Sequence, residues 1–511
     1  MIVHKIKYKD TNHFSELVED YTQKLVNKEL YNRFPSTDNF LEQINEKSKQ
    51  DLDRELLVSV LKKQNEDINL SKKSLFNIDS LSKKNTYTVT TGHQLCLFTG
   101  PLYFLYKIIS TINLAEKLSK EFNKYNFVPV FWMASEDHDF NEINNVTING
   151  NKFLWESDQQ GAVGKFNTKG IINIIENINS IIGNTVNNTS IMNLLKKCYG
   201  QNNFSEATRC LINELFGKYG LVILDANDKN FKKKLLPIMK EDLVFQSLSP
   251  IIKNNTIQNS KKYKTQAYVR DFNFFKISNS SRERVLEVIS ESELEDNPEK
   301  YSPNVLMRPL YQELILPNLC YIGGGAEISY WMQLKTVFKD QNIVFPILNL
   351  RNSVLWIEER DYKKWKDLGF TLEDLFLSTE DLEKRYVQNY SDVSLSKEKK
   401  SLNKIFNNIF DRIKDKAFLP SIESSQKTNT KSIENLEKKL IRFYKKKHEV
   451  ELNHIRKIKS KLFQNNHLQE RTDNIIPYYC KYGEKFIETL KKELDPLDLN
   501  FLILSPSKNK K

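Results

Sequence analysis

A strand–helix–strand unit between residues 87 and 143 is the feature that most limits how this chain can fold. Residues 87–90 are strand-like, residues 102–118 have helical periodicity, and residues 128–133 form a second apolar strand. Two strands with a helical crossover open a doubly wound sheet, which binds ligands at the carboxyl ends of its strands. The sequence therefore predicts an α/β fold with a candidate site after each strand.

Length and charge limit the remaining possibilities. A chain of 511 residues is too long for one compact core, so we expect a main domain with insertions. The net charge is +12, but the core segments contain no dense Lys/Arg run with interleaved aromatic residues. We therefore expect small-molecule partners and no nucleic acid.

The cysteines and the apolar runs indicate the compartment. No pair of the five cysteines has metal-ligand spacing, which favours reduced thiols. No apolar run approaches the roughly 20 residues that span a bilayer, and the first residues lack the apolar stretch of a signal peptide. We expect a cytoplasmic protein with no membrane partner.

Changes in composition divide the chain into six predicted regions. They are N-terminal helices packed on the core (1–85), the first half of a Rossmann-like core (86–150), a connecting insertion (151–215), the second core half with a further insertion near 250–305 (216–380), a coiled-coil hairpin (381–464) and a C-terminal segment that returns to the core (465–511).

The predicted hairpin contains two apolar series with steps of three and four residues. One series includes Leu402 and Ile409, the other includes Ile433 and Leu440, and a polar stretch near 424–430 lies between them. This pattern is typical of two antiparallel helices joined by a polar loop. It favours a structural arm, and dimerisation or closure over a ligand are the functional alternatives.

The turn after the first strand contains residues that suit anion binding. It reads Thr91-Gly92-His93-Gln94, and Thr99-Gly100 follow before the next helix. Glycine allows a tight turn and exposes backbone N–H groups near a helix N-terminus, where phosphate or carboxylate binds favourably. The pattern is neither a P-loop nor a dinucleotide fingerprint, so an ordinary turn remains an alternative.

Charged residues follow the second strand directly: Glu136, Asp137, His138 and Asp139. Carboxylates clustered around an imidazole shift one another's pKa values, which is one way to make a general base. Neighbouring residues of an extended segment point to opposite sides, so only alternate members converge. We therefore favour substrate binding or acid–base chemistry over a bound metal.

A third candidate cluster lies near residues 308–353. Gly323, Gly324 and Gly325 allow close backbone approach to a ligand, and Glu327 begins the following helix. Arg308 offers a guanidinium group for a carboxylate, and Arg351 with Ser353 follows another predicted strand.

These blocks together resemble the BshC family, the cysteine-adding enzymes of bacillithiol biosynthesis. The resemblance rests on T-G-H-Q-x-x-L-F-T-G-P-L-Y (91–103), V-P-V-F-W-M-A-S-E-D-H-D-F-x-E-I (128–143), R-P-L-Y-Q-E (308–313), I-G-G-G-A-E-I-S-Y-W (322–331) and H-L-Q-E-R (467–471).

The resemblance implies a fold and a reaction. It implies a Rossmann-like core of the nucleotidyltransferase type, related to class I aminoacyl-tRNA synthetases, with connecting-peptide insertions and a coiled-coil arm. The implied reaction joins cysteine to the amine of glucosaminyl malate. The chain lacks the His-x-Gly-His and Lys-Met-Ser-Lys-Ser motifs of those synthetases, and Thr99-Gly100-Pro101-Leu102 and Arg351-Asn352-Ser353 are the nearest segments.

Combining the residues with the resemblance gives a predicted site. Forming an amide near neutral pH needs an activated carboxylate, so we expect ATP, with Mg²⁺ as a further candidate, and no metal ligands from the protein. Predicted catalytic residues are His93, Asp137, His138 and Asp139. Predicted substrate-binding residues are Gln94, Glu136, Arg308, Glu327 and Trp331. Predicted nucleotide-binding residues are Thr91, Gly92, Thr99, Gly100, Gly323, Gly324, Gly325, Arg351 and Ser353.

Two other functions are compatible with the sequence. One is a non-catalytic nucleotide-binding scaffold that forms a homodimer through its coiled coil. The other is a metal-dependent hydrolase that uses residues 136–139. The ligase hypothesis also includes a homodimer.

Overall fold

The computed structural model describes residues 1–278, 280–391, 394–413 and 415–506. A few positions of the predicted second core half, hairpin and C-terminal segment, namely 279, 392, 393, 414 and 507–511, lie outside these ranges.

The strands are numbered in chain order. They are β1 Ile2–Ile6, β2 Thr86–Gln94, β3 Asn126–Ala134, β4 Asn145–Ile148, β5 Asn151–Leu154, β6 Val222–Asp225, β7 Phe274–Ile277, β8 Arg282–Arg284, β9 Tyr301–Pro303, β10 Asn318–Gly323, β11 Ile347–Leu350, β12 Ser353–Trp356 and β13 Phe501–Ser505.

The α-helices are numbered in the same way. They are α1 Glu16–Thr22, α2 Thr37–Lys47, α3 Arg54–Gln64, α4 Lys72–Ser80, α5 Leu102–Glu121, α6 Phe140–Ile143, α7 Ile171–Ile182, α8 Val186–Tyr199, α9 Phe204–Phe216, α10 Lys229–Leu243, α11 Leu248–Ser260, α12 Glu291–Asp296, α13 Arg308–Ile315, α14 Gly325–Met332, α15 Lys335–Asp340, α16 Glu359–Asp367, α17 Thr379–Tyr390, α18 Ser396–Arg412, α19 Leu419–Lys447, α20 Glu449–Leu462, α21 Gln469–Thr472, α22 Ile475–Tyr482 and α23 Lys485–Glu493.

Within the described ranges, five strands form a parallel sheet in the order β11-β10-β2-β3-β6. From β2 the chain proceeds outward through β3 to β6, and it then returns to the other side of β2 for β10 and β11. The strand order therefore reverses between β2 and β10, which is where such sheets bind ligands. The prediction of an α/β Rossmann-like fold is confirmed.

Both faces of this sheet are buried, which explains the continuous apolar run of β3. Val130 and Trp132 enter one hydrophobic cluster, whereas Phe131 and Met133 enter the other. Alternate side chains of a strand point to opposite faces, so a sheet covered by helices on both sides needs apolar residues at every position.

The two ends of the chain meet in a second sheet of order β1-β13-β12. β13 pairs antiparallel with β1 and parallel with β12, which follows β11 after Arg351 and Asn352. Residues 1–85, predicted as helical, thus begin with a strand. Its partner is almost 500 positions away, so local periodicity could not reveal it.

The arm is an antiparallel pair of helices, α18 and α19. Lys399 pairs with Glu437 at 2.8 Å, and Asn403 accepts a hydrogen bond from Gln426 at 3.2 Å. Residue numbers therefore increase along α18 in the direction in which they decrease along α19, as in an antiparallel pair. The predicted polar loop near 424–430 is wrong, because these residues lie inside α19, and the described residues place the end of α18 at Arg412 and the start of α19 at Leu419. There the Thr428 hydroxyl and the Asn429 amide donate to carbonyls one turn earlier, which satisfies polar groups inside the helix.

Between β6 and β10 the chain adds a small sheet of order β8-β7-β9. Its strands pair antiparallel, and Phe275 of β7 lies opposite Arg284 of β8. Among the described residues, no helix has the length and apolar character needed to cross a bilayer.

Candidate functional site

A cavity of about 780 Å³ lies beyond the carboxyl ends of β2, β3 and β10. Residues 92–94, 134–139 and 324–327 line it from the sheet, and the added sheet β8-β7-β9 forms the opposite wall. The parallel register places Gln94 beside Ala134, so the turns after β2 and β3 open into the same space. The three predicted clusters are therefore brought together by the strand order alone.

Glu327 is the centre of a hydrogen-bond network at the inner end of the cavity. Its carboxylate accepts from Lys107 Nζ at 2.8 Å, from the Tyr321 hydroxyl at 2.6 Å and from the Gly324 backbone N–H at 2.8 Å. Burial alone would raise the pKa of Glu327, but the Lys107 ammonium and the other donors hold that pKa below its usual value. The carboxylate is thus ionised and held in one orientation.

His93 is a neutral imidazole at this end of the cavity. Its Nδ1 lies 2.9 Å from the Gln94 carbonyl oxygen, which can only accept, so Nδ1 carries the proton and Nε2 keeps its lone pair. Burial, together with the nearby Lys107 ammonium, lowers the pKa of His93 to about 4. His93 can therefore accept a hydrogen bond without charging.

Arg308 is a buried guanidinium group with a free donor. Its Nη1 donates to Gln312 at 3.0 Å, and its guanidinium carbon lies 5.1 Å from the centre of the Tyr321 ring. Nη2 is buried and has no partner among the described residues. A Cβ on Gly92 would lie only 3.3 Å from Arg308 Nη1, so a larger residue here would push the guanidinium group back by a few tenths of an ångström. Such a donor is suited to an anionic ligand group.

The acidic residues after β3 have different partners. Glu136 accepts from the buried Lys232 Nζ at 2.6 Å, which ties it to helix α10. Asp137 accepts from Gln94 Nε2 at 2.7 Å and from the His138 backbone N–H at 2.7 Å. Burial would raise the pKa of Asp137, but these donors and Arg282 lower it. Asp139 lines the cavity, and no cationic side chain lies within salt-bridge distance among the described residues.

The wall opposite the sheet is basic. Arg282 lies with Nη1 2.9 Å from His138 Nδ1 and 3.7 Å from Asp137 Oδ1, which joins the added sheet to the acidic turn. Arg270 and Arg284 line the same wall without a carboxylate within salt-bridge distance among the described residues.

Taken together, the cavity has an excess of unpaired positive charge. Among the described lining residues, four guanidinium groups lack a carboxylate partner, and only two carboxylates lack a cationic one. The guanidinium groups belong to Arg270, Arg284, Arg308 and Arg471, and the carboxylates belong to Asp139 and Glu142. This charge distribution favours occupants that are anionic overall.

Several predicted site residues lie outside the cavity. Thr91 donates to the Ile322 carbonyl inside the sheet, Trp331 is buried behind the Tyr321 ring, and Gly323 accepts from the Arg351 backbone N–H. Thr99 and Gly100 are covered by Asn474, whose amide donates to the Gly100 carbonyl at 2.7 Å.

Arg351 reaches the cavity but already has an internal partner. Its Nη1 and Nη2 donate to the two oxygens of the buried Glu470 at 2.9 and 2.7 Å. Arg351 also donates to the hydroxyl of Ser353, which does not line the cavity. Of the predicted nucleotide-binding residues, Gly92, Gly324, Gly325 and Arg351 line the cavity.

Sequence reasoning missed Lys107, Tyr321 and the three arginines of the basic wall. Lys107 had a detectable signal, because it is the one lysine in the apolar run 102–112 of a buried helix and therefore needs an anionic partner. The arginines had none, since Arg282 and Arg284 lie on a strand too short to show periodicity and Arg270 lies in an irregular segment.

The described residues contain no cluster of three or more His, Cys, Asp or Glu side chains arranged to hold a metal ion. Glu136 and Asp137 are not available for a metal ion, because the Lys232 ammonium and the Arg282 guanidinium group already lie beside their carboxylates.

The fold and the cavity define an α/β protein with a basic cavity at the switch point of a Rossmann-like sheet and with a helical arm. Residues 1–352 match the family described as the bacillithiol biosynthesis BshC N-terminal Rossmann-like domain. Residues 354–506 match the BshC C-terminal coiled-coil domain. The chain belongs to the BshC family.

Full-length relatives agree with this assignment. Each carries the name "Putative cysteine ligase BshC". The Flavobacterium johnsoniae protein is 41% identical, with 98% of this chain and 99% of the relative covered. The Christiangramia forsetii protein is 42% identical and the Cytophaga hutchinsonii protein 34% identical, each with 98% of both chains covered.

Proposed function

We propose that this protein is a cysteine ligase that joins the carboxylate of L-cysteine to the amine of glucosaminyl malate, the last step of bacillithiol synthesis. Family membership supports the reaction class. The observation that carries the proposal is the set of four unpaired guanidinium groups in a cavity at the switch point, because glucosaminyl malate, the cysteine carboxylate and a nucleotide are all anionic.

Amide formation replaces a carboxylate oxygen by nitrogen, and ATP with Mg²⁺ supplies, when bound, the chemistry that makes this oxygen a leaving group. The residues present fit an anionic group of this kind. Arg308 has a buried Nη2 without a partner among the residues that the structure describes, Gly92 leaves room beside it, and Arg471 faces the same space. A cytoplasmic location belongs to this proposal, since ATP and cysteine are supplied there.

The chain's own residues account for the handling of the amines. Asp139, without a cationic partner among the described residues, binds the cysteine ammonium or the sugar hydroxyls, and Asp137 stays ionised beside it. His93 Nε2 accepts the proton that the attacking amine loses as its nitrogen bonds the cysteine carboxyl carbon and the activated oxygen leaves. Glu327, held by Lys107 and Tyr321, fixes the arrangement of polar groups at the inner end of the cavity.

Mass spectrometry of a reaction with purified protein, ATP, cysteine and glucosaminyl malate tests the proposal. We expect bacillithiol together with one equivalent of AMP or ADP, and no product when cysteine is replaced by serine. Absence of both bacillithiol and nucleotide cleavage, with folded protein, would refute the proposal.

We further propose that two copies of the chain associate through the arm. None of the 29 residues of α19 is buried, and even its apolar side chains Leu436 and Phe443 are 52% and 65% exposed. An apolar helix face of this kind needs a partner in water. Light scattering should show a dimer for the wild type and a monomer for Leu436→Glu/Phe443→Glu. Lys438→Glu on the same helix should stay dimeric, and an unchanged dimer in the double variant would contradict the proposal.

A further inference from the structure

The basic wall contributed by the added sheet is separate from the strand ends. Arg282 and Arg284 stand two positions apart on β8, so their side chains share one face of that strand. Their guanidinium carbons lie 3.9 and 5.0 Å from the centre of the Phe275 ring, so both cations pack against the same aromatic residue. The ring therefore supports both cations on the same wall of the cavity.

Hydrogen bonds hold this wall in place before any ligand arrives. Arg282 donates to the Ser302 hydroxyl and to the Pro303 carbonyl, each at 3.2 Å, and its Nη1 lies against His138. It is therefore committed to positioning, whereas Arg284 has no such partner among the described residues.

The backbone of Arg270 is also fixed. Its N–H donates to Asn273, which in turn bonds the buried Asp242 through its own N–H and amide at 2.6 and 3.0 Å. The exposed guanidinium of Arg270 thus projects from a rigid turn. Because the backbone of this turn is already ordered, binding of an anion requires ordering of the Arg270 side chain alone.

We infer that Arg270 and Arg284 bind the two carboxylates of the malyl group of glucosaminyl malate and thereby select a dicarboxylate-bearing acceptor. This inference rests on the proposed function. It adds that the basic wall of the cavity binds the acceptor substrate, glucosaminyl malate. Two guanidinium groups match two carboxylates in number and charge. The turn carrying Asp137 and Asp139 faces the wall, so a malyl group held there would place the sugar beside those carboxylates.

The nucleotide fits the other wall better. The free Nη2 of Arg308 and the backbone after β10 lie at the strand ends, where doubly wound sheets place phosphates. Arg270 and Arg284 come from the insertion on the opposite side of the cavity. The two anionic substrates are therefore assigned to separate groups of arginines.

The test compares wild type with Arg270→Ala/Arg284→Ala in steady-state kinetics. We expect the KM for glucosaminyl malate to rise about tenfold, as two solvent-accessible ion pairs are lost, while the KM values for cysteine and ATP stay within about twofold. Glucosamine, which lacks both carboxylates, should react equally with both proteins. Arg284→Lys should restore part of the affinity relative to Arg284→Ala, and Arg412→Ala on the arm is the matched surface control.

Calorimetric titration of glucosaminyl malate into both proteins separates this inference from the proposed function. If the wild type binds glucosaminyl malate more tightly than the double variant but makes no product, the ligase proposal fails and the recognition inference stands. If product forms with an unchanged KM for glucosaminyl malate, or if the KM for ATP rises instead, the recognition inference is wrong and the ligase proposal stands. Absence of binding to either protein would overturn both.

Discussion

The ion pair between Arg351 and Glu470 connects the end of the parallel sheet to the C-terminal segment, and Glu470→Ala tests its contribution to stability. The two side chains are 5% and 0% exposed and form two parallel hydrogen bonds of 2.9 and 2.7 Å. Glu470 also accepts from the Val354 backbone N–H at 3.2 Å at the start of β12. Removing this carboxylate would leave a buried guanidinium group without its counter-charge.

The expected loss of stability depends on the hydrogen bonds that Arg351 keeps after Glu470 is replaced. Breaking a buried ion pair by removing one partner costs about 3–5 kcal/mol, because the other charge stays desolvated. Arg351 would keep its hydrogen bonds to the Asn352 carbonyl and the Ser353 hydroxyl, which offset part of this cost, while the Val354 N–H loses its acceptor. We expect Glu470→Ala to lower the free energy of unfolding by about 4 kcal/mol.

Urea denaturation at neutral pH measures this change. Arg351→Met/Glu470→Leu removes both charges and should cost less than the single substitution, since apolar replacement of a whole buried pair is often close to neutral. Glu484→Ala breaks an exposed pair with Lys218 and should cost less than about 1 kcal/mol. A Glu470→Ala variant within about 1 kcal/mol of wild type, or a double variant less stable than the single one, would refute the reasoning.

Three further changes test the inner end of the cavity. The folded-state pKa of His93, about 4, lies below its ordinary value of 6.5, so protonation favours the unfolded chain between these values. The free energy of unfolding should therefore fall as the pH decreases from 6.5 to about 4. His93→Gln should make the free energy of urea unfolding less dependent on pH in this range. The same pH dependence in wild type and variant would contradict a neutral, buried His93. Gly92→Ala should displace the Arg308 guanidinium group, which is assigned to the nucleotide, and should therefore raise the KM for ATP about tenfold in steady-state assays. The midpoint of urea unfolding should stay the same. Glu327→Gln should lower kcat/KM by about 100-fold, because the Lys107 ammonium loses its carboxylate, and wild-type kinetics would exclude this network from the reaction.

Local sequence patterns were sufficient for the central part of the fold. The continuous apolar run of β3 and the helical period of α5 predict a crossover unit, because a strand buried on both faces needs apolar residues throughout. The polar residues directly after β2 and β3 predict where ligands bind, since parallel strands end at one edge of the sheet. The arm was predicted from its apolar periodicity, although polar residues inside α19 were mistaken for a turn.

Contacts between residues far apart in the sequence determined the parts of the fold and of the site that local patterns did not predict. Strand β1 pairs with β13, and Glu470 neutralises Arg351, in both cases across more than 100 positions of sequence. The basic wall depends on short strands that pack over the cavity only after the insertion folds. A local pattern reports the burial of a segment, whereas the partner of a charge is determined by tertiary packing. For this reason the sequence identified the edge of the sheet that holds the site, and only the structure showed which guanidinium groups are left unpaired there.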